Sequence, residues 1–267
     1  SGNALAYHST RRTGRDTDLY WMDPRDPATD RLLTALPGGG WSVADWSADD
    51  ARIALLESLS INDRRLHLVD VATGRCRLVT RTNDGPVAYG PARFTPDGAA
   101  LITTSDRGAE FRQLVRLNVT NGVETVLVPG LSWDVEEFDL APDGRTIAFV
   151  TNEDGVSRLH TVPVGGGKPK TVKDFPVGVV SGLKWRPGGG ELGFTFSAAR
   201  SPGDVYSYDF KTRQLVRWTE SETGGLNPGA FAEPELMRLE SVGGLRISAF
   251  VYRPDPARFP GPRPALI

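Results

Sequence analysis

The chain has 267 residues, of which 39% are apolar and 24% charged, with a formal charge of −2. That composition is ordinary for a globular protein of one or two domains. The near-neutral charge supplies no broad basic field for nucleic acid, and no apolar run approaches the roughly 18 residues a membrane-spanning helix needs.

The first predicted strand is Leu5-Ala6-Tyr7-His8, followed by a turn at Met22-Asp23-Pro24-Arg25. Next, Trp46-Ser47-Ala48-Asp49-Asp50 precedes the apolar run Ile53-Ala54-Leu55-Leu56. The same phrase returns as Phe94-Thr95-Pro96-Asp97-Gly98 before Leu101-Ile102-Thr103-Thr104, and as Leu140-Ala141-Pro142-Asp143-Gly144 before Ile147-Ala148-Phe149-Val150. A looser copy is Trp185-Arg186-Pro187-Gly188-Gly189 before Leu192-Gly193-Phe194. The leading residues 46, 94, 140 and 185 are 48, 46 and 45 apart. A second marker follows each by about half a period, clearest in Asp70-Val71-Ala72-Thr73-Gly74 and Asn118-Val119-Thr120-Asn121-Gly122. Its positions 23, 70, 118, 163 and 209 are spaced by 47, 48, 45 and 46. Thr-Gly and Asn-Gly supply the positive-φ residue of a tight hairpin.

Repeats of this length made of short strands predict an all-β fold, a β-propeller with one four-stranded antiparallel blade per repeat. The innermost strand leads into the Pro-Asp-Gly turn, the apolar run is the second strand, and the hairpin joins the third and fourth. Leu5-Ala6-Tyr7-His8 aligns with a second strand, so the first unit lacks its innermost one. The reading is therefore about 4.75 blades, an incomplete propeller over residues 1–221. A β-sandwich would also place turns at intervals, but two independent markers in one register argue against it.

Residues 222–235 read as a linker rich in Gly and Pro. Residues 236–267 depart from the repeat, running Leu236-Met237-Arg238-Leu239 to a turn at Gly243-Gly244, then Ile247-Ser248-Ala249-Phe250-Val251-Tyr252-Arg253-Pro254 and a Pro-rich end.

The Pro-Asp-Gly phrase before a buried strand resembles the repeats of TolB-like propellers and of propellers in the prolyl oligopeptidase family. The segment from Ala232-Glu233-Pro234-Glu235 onward is similar to the start of the α/β-hydrolase domain in acylaminoacyl-peptidase-like members of that family. The resemblance implies the propeller portion of a serine peptidase, gating access of short or N-acylated peptides to a catalytic α/β-hydrolase domain in cis. No cofactor or metal is implied. The family nucleophile lies in Gly-x-Ser-x-Gly, and this chain has none. Gly40-Trp41-Ser42-Val43-Ala44 and Gly155-Val156-Ser157-Arg158-Leu159 each lack the second Gly. No catalytic residue is therefore expected within it. The alternative is a non-catalytic TolB-like propeller that binds a protein partner.

Glu136 and Glu137 on a predicted channel-lining strand are the candidate substrate-binding pair, because clustered carboxylates suit a peptide's α-ammonium. Adjacent strand residues point to opposite faces, which argues for ordinary channel-wall carboxylates. His8, His67 and His160 fall in separate predicted strands without ligand spacing. The single cysteine, Cys76, reads as a packed thiol. Its solitude favours a reducing, cytoplasmic compartment, with the periplasm expected under the TolB-like reading. Open strand edges invite a homo-oligomer.

Overall fold

The structure, a computed structural model, describes residues 2–83, 85–173 and 175–266. Five antiparallel sheets follow one another along the chain, each built in sequence order. Blade 1 holds β1 (Leu5–Ser9), β2 (Asp18–Asp23) and β3 (Asp26–Thr34). Blade 2 holds β4 (Trp41–Trp46), β5 (Arg52–Ser58), β6 (Arg64–Asp70) and β7 (Cys76–Leu78). Blade 3 comprises β8 (Arg93–Phe94), β9 (Ala100–Ser105), β10 (Gln113–Asn118) and β11 (Glu124–Val126). Blade 4 comprises β12 (Val135–Leu140), β13 (Thr146–Glu153), β14 (Val156–Pro163) and β15 (Lys170–Thr171). Blade 5 comprises β16 (Val179–Trp185), β17 (Glu191–Ala198), β18 (Ser201–Asp209) and β19 (Leu215–Arg217). A separate hairpin, β20 (Pro234–Glu240) with β21 (Arg246–Tyr252), closes the series.

The expected all-β architecture and the three-stranded first blade are both present. Trp46, Phe94, Leu140 and Trp185 each end the innermost strand of their blade, so the repeat register holds in three dimensions. The chain divides into two compact units: residues 1–135 with 143–147 and 161–170, and residues 136–142, 148–160 and 171–267.

Within each unit the core lies between successive blades. Leu19, Leu33 and Leu36 of the first repeat pack with Ile53, Leu55 and Val69 of blade 2. From the opposite face of blade 2, Ala54, Leu56, Leu66 and Leu68 pack with Phe94, Leu101 and Leu117 of blade 3. In the second unit, Ala148, Val150 and Leu159 pack with Trp185, Leu192 and Phe194. Blade 2 is covered on both faces, so the run Ile53-Ala54-Leu55-Leu56 of its second strand is buried and apolar without alternation. All six residues of β9 are buried as well. By contrast β17 alternates buried and half-buried positions, the pattern of a sheet with one covered face.

The repeated turn owes its shape to local hydrogen bonds. Thr95 Oγ1 donates to Asp97 Oδ1 at 2.6 Å, and the same carboxylate accepts the Ala99 amide at 3.0 Å. Ser47 and Asp49 repeat this brace in blade 2. These side chains replace the ladder partners that the turn removes. A second recurrent bond ties blades together. Asp45 Oδ2 accepts the Phe94 amide at 2.7 Å, and Asp139 Oδ2 accepts the Trp185 amide at 2.9 Å. Each carboxylate sits one residue before the leading residue of its own repeat and holds the leading residue of the next.

The hairpin glycines are required twice over. Gly74 has φ 70°, and a Cβ there would lie 2.1 Å from the Leu33 carbonyl oxygen of blade 1. Gly122 has φ 67°, and a Cβ there would lie 2.6 Å from the Val79 carbonyl oxygen. Gly130 also has positive φ, at 83°, with nothing within 4 Å of an added Cβ. Both Gly74→Ala and Gly130→Ala strain the backbone, by about 1 kcal/mol. Gly74→Ala must in addition push two blades apart. Urea denaturation should therefore show it less stable than Gly130→Ala by about 1–3 kcal/mol, the usual cost of overpacking. Equal losses would mean that blade contact does not depend on this approach.

Candidate functional site

The part of the chain best placed to carry function is the junction between the repeats and the β20–β21 hairpin. The turn between β13 and β14 is Asp154-Gly155, with φ 55° and 84°. An Asp tolerates the left-handed region better than most side chains, which leaves its carboxylate projecting from the turn. That carboxylate accepts Arg238 Nη2 at 2.6 Å and Ser248 Oγ. Arg238 and Ser248 are register partners on β20 and β21, so one acid bridges both strands of the hairpin. The bonds from Ser248 and then Arg238 hold the Asp154 carboxyl below its ordinary range. Phe250 lies over Gly155, where an added Cβ would meet its ring at 2.6 Å.

The connection into this hairpin is also anchored. Asp204 on β18 is buried and accepts Arg217 Nη2 at 2.6 Å, Thr219 Oγ1 at 3.0 Å, Ser201 Oγ at 3.0 Å and the Ser221 amide at 2.7 Å. Burial alone would raise its pKa, but these bonds outweigh it and keep the carboxyl far below the usual range. Farther on, Arg200 Nε reaches Phe231 O and Glu233 Oε1, both at 3.0 Å. A two-stranded hairpin is marginal by itself. This one also exposes apolar side chains, with Leu236, Leu239 and Ile247 at 42%, 44% and 50% accessible and Val242 at 92%. Leu239 and Ile247 are register partners and share one face, opposite to the face that carries Arg238 and Ser248 to Asp154.

Glu136 and Glu137 both lie half-buried on β12, and the structure turns their carboxylates to different partners. Asn152 Nδ2 donates to Glu136 Oε1 at 3.0 Å, within blade 4. The Leu183 amide of β16 donates to Glu137 Oε2 at 3.1 Å. Both contacts are those of strand-to-strand fastening.

The histidines lie on β1, β6 and β14 and have local partners. His8 Nδ1 is 3.2 Å from Thr17 O. His67 Nε2 is 2.8 Å from Glu57 Oε2, and burial lowers its pKa against the pull of that acid. His160 is held between Thr151 Oγ1 at 2.9 Å and Thr171 Oγ1 at 3.0 Å, with its ring stacked on Phe149. Cys76 packs beside the core between blades 1 and 2, and burial pushes its thiol pKa up. Sequence reasoning passed over Asp154, Asp204 and the Asp45/Asp139 pair. For the last, the available signal was an Asp directly before Trp46 and again before Leu140.

Residues 25–221 match the family described as prolyl oligopeptidase, N-terminal β-propeller domain. The chain therefore belongs to the prolyl oligopeptidase family, as its propeller domain. An uncharacterized peptidase of Bacillus subtilis, YuxL, is 29% identical over 109 residues, covering 38% of this chain and 16% of the relative. Prolyl oligopeptidase B from Galerina marginata, solved with a 35mer hydrolysis and macrocyclization substrate, superposes with a TM-score of 0.74 at 15% identity. That match covers 93% of this chain and 36% of the solved one. A puromycin hydrolase gives a TM-score of 0.73 at 18% identity, over 89% and 38% of the two chains. TolB from Acinetobacter baumannii gives 0.62 at 23% identity, over 82% and 53%. The structural likenesses establish the shared fold, and the family match favours a peptidase propeller over a partner-binding TolB-like one. The chain spans a small part of YuxL and little more than a third of each peptidase structure.

The Asp154 bridge makes a direct prediction. Asp154→Ala should free the hairpin and raise the rate of tryptic cleavage at Arg246–Ile247 several-fold, while blade 5 stays protected. Mass spectrometry of a timed digest reads both. An unchanged rate at Arg246 would show that the hairpin is held by other contacts.

Proposed function

We propose that this chain is the size-selecting propeller of a serine peptidase of the prolyl oligopeptidase family, acting on short or N-acylated peptides. Its catalytic α/β-hydrolase domain would follow in cis. The family match over the repeats carries this reading. The hairpin supports it, since two strands fastened to a blade and apolar on their free surface are what the edge of a larger sheet requires. On this reading residues 1–221 form the propeller, residues 222–235 the linker and residues 236–267 the first strands of the hydrolase domain.

The propeller would act by sterics. Blades locked by buried cores and interblade bonds make a wall that does not yield to a folded protein, while an extended peptide of small cross-section can pass. Chemistry would come from the hydrolase domain, by a serine nucleophile and an acyl-enzyme intermediate. Glu136 and Glu137 would contribute to substrate contact only by exchanging their present partners for an ammonium group.

Two assays on the full protein test the two halves of the reading. A fluorophosphonate probe, which labels activated serines, should label a protein that extends through a Gly-x-Ser-x-Gly segment and leave the 267-residue chain unlabelled. The labelled protein should cleave an N-acylated tripeptide at least a hundredfold faster than it cleaves native casein-sized proteins, judged by kcat/KM. Labelling of the 267-residue chain would overturn the assignment of catalysis to another domain. Comparable cleavage of tripeptide and protein would overturn size selection.

A further inference from the structure

Blade 2 carries a basic cavity that neither the repeat architecture nor the peptidase reading uses. It encloses about 220 Å³, and Arg64, Arg65, Arg81, Thr80, Thr82 and Asp63 stand around it. Arg64 and Arg65 open β6, and Thr80, Arg81 and Thr82 come just after β7, so the pocket sits at one end of a single blade. Its walls are fixed by backbone bonds: Arg64 N to Val87 O at 2.9 Å and Val79 N to Leu66 O at 2.8 Å.

Among the described residues around the cavity, arginines outnumber acids three to one. Asp63 is the one acid among these six residues, and it meets Arg65 at 3.4 Å. Arg81 Nη2 is 3.5 Å from the Asn121 carbonyl, a long contact that, among the described residues, leaves the guanidinium largely uncommitted. The decisive group is Arg64. Its Nε is buried, and among the described residues it has no hydrogen-bond partner. A guanidinium N–H withdrawn from water without an acceptor is unfavourable, and native structures seldom keep one unless something supplies the acceptor. The hydroxyl of Thr80 accepts the Leu66 amide at 3.3 Å, leaving its own proton available to an acceptor in the pocket. Tyr89 adds only a wall, because its hydroxyl already donates to Glu124.

We propose that this cavity is a binding site for a small oxyanion, a phosphate or carboxylate group seated against Arg64, with Arg65 and Arg81 supplying charge and Thr80 a hydroxyl donor. Guanidinium forks match the paired oxygens of both groups, and the volume admits one such head group but not a polymer. The two sources of that chemistry are a free phosphate compound and the C-terminal carboxylate of a peptide. The inference rests on the pocket alone and stands or falls apart from the peptidase reading.

Isothermal titration of the 267-residue chain at low ionic strength tests it, with inorganic phosphate, trialanine and trialanine amide as probes. Saturable binding of phosphate or trialanine with a Kd of about 1 mM or tighter is expected. Arg64→Gln and, separately, Arg81→Gln should each weaken it at least tenfold, with far-UV circular dichroism unchanged. Arg75→Gln, an exposed arginine of the same blade, should leave it intact. Phosphate binding without trialanine binding identifies a free phosphate ligand. Trialanine binding that is lost in the amide identifies a peptide C-terminus. Absence of saturable binding by either anion overturns the proposal, as does binding that both pocket variants retain.

Discussion

A four-stranded sheet with apolar side chains on both faces cannot stand alone in water, and the rest of this structure follows from that constraint. Blade 2 has a neighbour on either side, which is why Ile53 and Leu55 on one face of β5 and Ala54 and Leu56 on the other are all buried. Burial of apolar area is the main favourable contribution to such a fold. It is non-directional, however, and does not by itself fix how one blade meets the next. That specificity comes from a few directed contacts. The Asp45 and Asp139 carboxylates hold the next repeat's leading amide, and hairpin glycines let one blade's turn approach the outer strand of its predecessor.

These contacts also determine what the junction can do. Asp204 locks the outgoing chain to blade 5, and Asp154 fastens both strands of the hairpin to blade 4. The hairpin is thus positioned by ionic and hydrogen-bonding contacts while most of its apolar side chains remain uncovered. On the proposed reading, a domain interface built this way would separate placement, which is polar and local, from cohesion, which would come from whatever covers Leu239, Ile247 and Val242. For a peptidase whose substrate has to reach an enclosed site, the proposed arrangement keeps the selecting wall and the catalytic chemistry on different parts of the chain.

Much of the fold was legible because the repeat writes its turns in residues with few substitutes. Thr-Gly and Asn-Gly mark positive φ, and Pro-Asp-Gly marks the corner before the buried strand, so blade boundaries could be counted from Gly74, Gly98, Gly122 and Gly144. The missing innermost strand of blade 1 was visible for the same reason. The junction was not legible, because Asp154 and its partners Arg238 and Ser248 are 84 and 94 residues apart, and each looks like an ordinary surface residue. The Glu136/Glu137 pair stood out as two acids together, yet their carboxylates go to Asn152 of the same blade and to the Leu183 amide of the next, which only the folded packing of strands and blades brings near. The Arg64 pocket was equally hidden, since an arginine pair opening a strand reads as solvated charge.

Native-state hydrogen exchange tests most directly whether blade-to-blade covering holds this molecule together. The account predicts the slowest exchange in β5, β9 and β13, intermediate protection in β17, whose far face is only partly covered, and the fastest in β20 and β21. Uniform protection across all the blades and the hairpin, or a hairpin that exchanges as slowly as β9, would contradict it.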